Sequence, residues 1–131
     1  MTRRLLFAAA SLLIYAVIFC LSSLPPSQLP SGIPDVIPHV GEYALLAFFL
    51  VQVFPAPPRR RALATAFLLA LLLGLLDECH QLSTPGRLFS WLDVLYDAIG
   101  ALTGLAAFAW ISRKRVIRRN TKDQETDLRD A

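Results

Sequence analysis

The sequence predicts an all-α polytopic membrane protein, an antiparallel bundle of four transmembrane helices, and three observations predict it. First, the 131 residues are 55% hydrophobic and 18% charged, with a mean hydropathy of +0.51. A soluble domain carries about 45–50% apolar and about 25% charged residues, and a chain this short has room for one core only. The surplus apolar side chains would lie on a wet surface, so a disordered chain and an ordinary cytosolic enzyme are excluded and lipid becomes the expected solvent. Second, four apolar stretches of spanning length are separated by short, proline-rich or polar connections. Third, 12 of the 13 Lys and Arg side chains fall on one side of the resulting topology.

Helix 1 is read from Leu5 to Leu24, an uncharged run that at about 1.5 Å per residue matches a hydrocarbon core of about 30 Å. Arg3 and Arg4 precede it as in a signal peptide. The run exceeds an h-region of about 7–15 residues and no A-x-A-like site precedes Pro25, so the helix is expected to stay uncleaved. Pro25, Pro26, Pro30, Pro34 and Pro38 with Gly32 then form a connection that does not continue a helix. Helix 2 is read from Val36 to Phe54 and ends at Pro55, Pro57 and Pro58. Helix 3 is read from Ala62 to Leu82. Pro85-Gly86 marks a tight turn before helix 4, read from Trp91 to Ser112. Residues 1–112 thus form one membrane domain, and the basic, polar tail at 113–131 is expected to be disordered. Connections this short make sequential helices antiparallel.

The positive-inside rule fixes direction. Arg3, Arg4, Arg59, Arg60, Arg61 and the basic residues after Ser112 lie together, which places both termini in the cytoplasm of a multi-pass cell-membrane protein. Arg87 alone lies outside, accompanied by Asp35, Glu42, Asp77, Glu78, Asp93 and Asp97. The basic pI of about 9.2 is therefore a topology signal, and no nucleic-acid partner is expected.

Both histidines and six of the ten carboxylates converge at the extracytoplasmic ends of helices 2, 3 and 4. At about 100° per residue, Asp93, Asp97, Gly100 and Gly104 share a stripe about 60° wide on helix 4. Gly100 and Gly104 form a G-x-x-x-G, the motif that lets helices approach closely in lipid, so the two carboxylates point at a neighbouring helix. Ala66, Ala70, Asp77 and Gln81 share a stripe on helix 3, with Gly74 and His80 beside it, and Cys79 lies opposite. His39, Glu42 and Tyr43 share a face of helix 2. Ionisable groups gathered at one depth in a membrane mark a functional site, since each costs about 2.5–3.5 kcal/mol to insert.

Bland roles compete with this reading. Ser90-Trp91-Leu92-Asp93 fits a capping box, Asp35 is placed to cap helix 2, and Arg87 is placed either to neutralise Glu78 or Asp93 or to hold an anionic ligand. A hydrogen-bonded clamp between helices accounts equally for Glu78, His80, Gln81, Asp97 and His39. Cys20 and Cys79 both sit in the outer halves of their helices, where two apolar thiols are the commoner outcome and a disulfide is sterically allowed.

Asp77-Glu78-Cys79-His80-Gln81, Pro85-Gly86-Arg87, Ser90, Asp93, Asp97, Gly100 and Gly104, with Asp35, His39 and Tyr43, resemble the VanZ-like membrane protein family, named for a teicoplanin-resistance accessory protein. The resemblance runs from about Asp35 to Gly104, and Val36 stands where the family often has Lys. It implies a small polytopic protein of the cell envelope, linked in some members to tolerance of glycopeptide antibiotics. It supplies no reaction.

The inventory supports an enzyme or enzyme-like site acting at the outer face on a membrane lipid or a lipid-linked, phosphate-bearing cell-wall precursor. Candidate acid–base groups are Glu78, His80, Asp97 and His39; candidate binding groups are Arg87, Gln81, Asp93, Asp77, Glu42, Tyr43 and Ser90. No metal signature is present; a metal variant of the site would use His39, Glu42, Glu78 and His80, with Asp93 or Asp97 behind them. A non-catalytic scaffold or binding module for a lipid, a glycopeptide or another envelope protein fits the same residues. A transporter is disfavoured, because polar steps stop at one end of the bundle, and oligomerisation through the G-x-x-x-G remains open.

Overall fold

The computed structural model describes residues 2–55 and 59–129, so Pro57 and Pro58 and the last two residues of the chain lie outside the described residues. Four helices appear: α1 Arg3–Ser22, α2 Val36–Leu50, α3 Arg59–Gln81 and α4 Trp91–Arg129. Each contains a window long and apolar enough to cross a membrane: Arg3–Ser22, Val36–Val53, Arg60–Gln81 and Trp91–Arg115. No strand occurs among the described residues.

The element boundaries follow local chemistry. Pro38 sits in the first turn of α2, where its missing N–H has no intrahelical partner to lose. The helix tightens into a 3₁₀ turn at Val51–Val53 before Pro55, so the regular part of helix 2 is shorter than expected. Asp35 occupies the N-cap position of α2 but makes no side-chain cap hydrogen bond, which corrects the capping role expected for it. Ser90 does cap α4: its Oγ accepts from the Asp93 backbone N–H at 3.2 Å. Between α3 and α4 a chain of turns ends at Arg87 N–H donating to the Thr84 carbonyl (3.1 Å), with Gly86 at φ +83°. That left-handed conformation is one an L side chain rarely adopts.

α4 is the longest of the helices. Its backbone continues past Ser112 to Arg129, through the segment expected to be disordered. Once a helix is nucleated, each further residue adds a hydrogen bond at little cost, and 113–129 contains no Pro or Gly to stop propagation. At about 1.5 Å per residue the helix is about 58 Å long, nearly twice a hydrocarbon core.

α1 and α3 run toward the end of the bundle where Ser22 meets Asp77, and α2 and α4 run away from it, His39 meeting Asp97 near their starts. Sequential helices are therefore antiparallel, yet the most extensive contact is between α2 and α4, which run parallel. Small residues cause this. A Cβ at Gly100 would stand 2.5 Å from the Val40 carbonyl oxygen, and one at Gly104 would overlap the Ala44 carbonyl. The predicted G-x-x-x-G is thus the α2–α4 seam inside one bundle. Ala66, Ala70 and Ala101 are fully buried with Tyr43, Leu46 and Ala47, so the core is thin and the backbones lie close.

Polarity is inverted relative to a soluble protein. Leu12, Leu13, Leu68 and Trp91 are 59% or more exposed, while Glu78, Asp97, Gln81 and Asp77 are at most 3% exposed. An apolar exterior around buried ionisable groups is stable only where the surrounding solvent is hydrocarbon.

Candidate functional site

The site lies where α1 and α3 end and α2 and α4 begin. His39, on the second turn of α2, donates through Nδ1–H to Asp97 Oδ1 of α4 at 2.8 Å. Asp97 is 1% exposed and lies against Gly74 of α3, where any Cβ would collide with its carboxylate. Gly74 therefore makes room for the acid. The other oxygen of Asp97, and the hydroxyl of the buried Tyr43, have no hydrogen-bond partner among the described residues.

A second network surrounds Gln81. Its side-chain N–H group donates to Glu78 Oε1 (2.9 Å) and to Asp77 Oδ2 (3.3 Å), and its carbonyl accepts from Arg87 Nη1 (3.0 Å). The i, i+3 and i, i+4 spacing on α3 places these acids beside one amide. Gln81 thereby links the cation to two buried carboxylates, and Arg87 reaches neither Glu78 nor Asp93 directly. Arg87 Nε donates instead to the Leu24 carbonyl (3.3 Å), so of the two roles open to Arg87 the direct ion pair with Glu78 or Asp93 is not formed. Glu78 completes its pairing by accepting from the Ser90 N–H at 2.9 Å. That contact replaces the reciprocal half of the capping box, leaving the Asp93 carboxylate free to face His39 and Glu78.

Helix α1 contributes what sequence reading missed. Ser22 Oγ donates to Asp77 Oδ1 at 2.6 Å, and Ser23 Oγ lies 2.9 Å from His80 Nε2. His80 also stacks on Phe19, with ring centroids 4.0 Å apart. His80 thus turns toward α1 and away from His39, outside the donor group that the metal variant of the site had assigned to it. The only available signal was the Ser22-Ser23 pair closing an otherwise apolar helix, which reads equally as the edge of a span.

A cavity of about 270 Å³ opens beside these networks. Its lining mixes apolar residues, Leu21, Leu29, Pro30, Ile33 and Pro38, with polar and charged ones, Ser22, Asp35, His39, Glu42, Asp77, Gln81 and Arg87. Glu78, Asp93 and Asp97 stand around His39. One donor atom from each of His39, Glu78 and Asp93 lies within 4.8 Å of the others, so Asp93 takes the place expected for Glu42 and His80. Tyr43 is packed in the core and Ser90 serves as a cap. Both cysteines are free and exposed.

Fold and site together define a class: a multi-pass helical membrane protein with an ionisable centre buried at one end of its bundle and an amphiphilic cavity beside it. The VanZ/LLP1 family model matches residues 7–112, which reach into all four spans, and the chain belongs to that family. No curated protein and no protein of solved structure matches the chain.

Proposed function

We propose that this VanZ/LLP1-family protein is a cell-envelope membrane protein whose polar end faces the extracytoplasmic side and receives the head group of a membrane lipid or lipid-linked cell-wall precursor. The observation that carries the reading is the mixed apolar and polar lining of the cavity. Leu21, Leu29 and Ile33 offer a surface to an acyl or prenyl chain, and Arg87, Gln81, Glu42 and Asp77 offer hydrogen-bonding groups to a head group. Arg87 meets a phosphate or carboxylate, and the acids meet hydroxyl or amine donors. His39, held by Asp97, is placed as an acid–base group next to that head group.

Orientation rests on the distribution of Lys and Arg, which puts both termini in the cytoplasm. The volume falls just below the range of about 300–1,000 Å³ that encloses a drug-sized ligand, so a glycopeptide antibiotic is too large to enter. A role in glycopeptide tolerance then runs through the wall precursor.

Native mass spectrometry of the purified protein tests this. The wild type is expected to retain a lipid through mild delipidation, and Arg87→Gln to lose it while keeping its helical content. Equal retention by both, or by neither, overturns the reading. A reporter fused after Ala131 that is active outside the cell overturns the orientation.

A further inference from the structure

His39, Glu78 and Asp93 bring a ring nitrogen and two carboxylate oxygens to within 4.8 Å of one another. They belong to α2, α3 and α4, so no single helical repeat accounts for the convergence. The group sits largely out of solvent: Glu78 is fully buried and the His39 side chain is 13% exposed.

Two of the donors are held by groups outside the trio. Asp97 accepts from His39 Nδ1–H, which leaves Nε2 as the ring's free donor atom. A carboxylate behind an imidazole is the arrangement that orients a histidine toward a metal. Asp97 is 1% exposed and keeps one oxygen without a partner. Glu78 is oriented by Ser90 N–H and by Gln81, and its oxygens retain lone pairs beyond those bonds. The Asp93 carboxylate accepts no hydrogen bond among the described residues.

Charge balance points the same way. Glu78, Asp93 and Asp97 face one imidazole. Arg87 is engaged by Gln81 and the Leu24 carbonyl, and His39 is the one basic side chain within ion-pair distance of an acid among the described residues, its Nδ1 standing 2.8 Å from Asp97 Oδ1. Three acids around one neutral imidazole, in a low-dielectric setting with no Lys or Arg in direct contact, call for a positive partner.

We infer that His39, Glu78 and Asp93 form a binding site for a divalent cation of the Mn²⁺ to Zn²⁺ type, with Asp97 positioning His39. One nitrogen and two carboxylate donors suit such ions, whereas Ca²⁺ takes about 6–8 oxygens. Donors at about 2.0–2.2 Å from one ion stand about 3–4 Å apart, so the trio closes by on the order of 1 Å, within reach of carboxylate rotation. The site deepens the proposed head-group reading, on which it rests for its role though not for its geometry; with the ion bound, His39 serves as its ligand in place of the acid–base role, and an ion held beside this cavity-lining residue would act as a Lewis acid for a phosphate-bearing head group.

The test uses the full-length protein in detergent, stripped with chelator and titrated with Zn²⁺ and with Mn²⁺ by calorimetry, with metal content confirmed by mass spectrometry. One ion per chain is expected. Asp93→Asn should weaken binding at least tenfold, and Asp97→Asn by about 10–100-fold. The Cys20→Ser/Cys79→Ser double variant should bind as the wild type does. Asp93 is half-buried and its carboxylate has no hydrogen bond to lose among the described residues, so Asp93→Asn keeps the test valid even where His39→Gln fails to fold. Absence of stoichiometric metal in the wild type, loss of binding in the cysteine variant, or affinity unchanged in both aspartate variants overturns the inference. Lipid retention is read in parallel: lipid kept without metal overturns this inference alone, and metal bound without lipid overturns only the head-group reading.

Discussion

Gly100→Ala is expected to destabilise the bundle and to damage the polar centre together, because one backbone contact underlies both. The added Cβ would stand 2.5 Å from the Val40 carbonyl oxygen and 3.0 Å from Val40 Cα. Carbon and oxygen in comfortable contact stand about 3.4 Å or more apart, so α2 and α4 must separate by roughly 1 Å at this point. The obstacle is backbone, with no side-chain rotamer to yield. Overpacking of this kind costs about 1–3 kcal/mol. Val40 follows His39, and Asp97 lies one turn before Gly100. The same opening stretches the 2.8 Å His39–Asp97 hydrogen bond to about 3.8 Å, beyond hydrogen-bond range.

Gly41→Ala supplies the contrast, since a Cβ there meets nothing within 4 Å and replacing a helical glycine gains up to about 1 kcal/mol. Thermal unfolding in detergent, followed by circular dichroism, reads both. The two substitutions should shift the midpoint in opposite directions, Gly100→Ala downward. A Gly100→Ala protein as stable as the wild type would refute the close α2–α4 approach.

Three further outcomes follow from individual hydrogen bonds. Glu78→Gln presents an amide N–H₂ to one of two donors, Ser90 N–H or Gln81 Nε2, and should cost about 1–3 kcal/mol through an unsatisfied buried group; unchanged stability by the same melt would show that these contacts carry no weight. Ser90→Ala removes the cap on α4 and should cost about 1 kcal/mol, with Ser90→Gly milder; equal losses for both would exclude capping as the cause. Asp35→Ala, by contrast, breaks no cap hydrogen bond and should change stability by less than about 0.5 kcal/mol, while lowering lipid retention in native mass spectrometry because Asp35 lines the cavity; unchanged retention would remove Asp35 from the binding surface.

The stripe on α4 was legible because a helix fixes the angular relation of its own residues. Asp93, Asp97, Gly100 and Gly104 share a face whatever surrounds them, and the structure turns that face to α2 and α3. Gly74 is instructive: its angular position beside Asp77 was readable, but its purpose, room for Asp97 of another helix, was not. The length of α4 exceeds its apolar span. Composition marked the segment after Ser112 as polar, but polarity does not stop a helix already under way. Ser22 and Ser23 carry no distinguishing signal, because a hydroxyl at the end of a span has the same sequence signature whether it bonds its own helix or a distant acid.

The sequence alone determined the solvent, the number of spans and the faces carrying charge, since these depend on hydropathy summed over about 20 residues and on helical periodicity, both properties of contiguous chain. Only the tertiary structure decided which donors share a centre. It paired His39 with Asp97, put Asp93 beside Glu78, sent His80 to Phe19 and tied Arg87 to Gln81. Those choices hang on how far each helix is rotated and shifted against the next, quantities set by glycine and alanine contacts between segments dozens of residues apart, which no local pattern encodes.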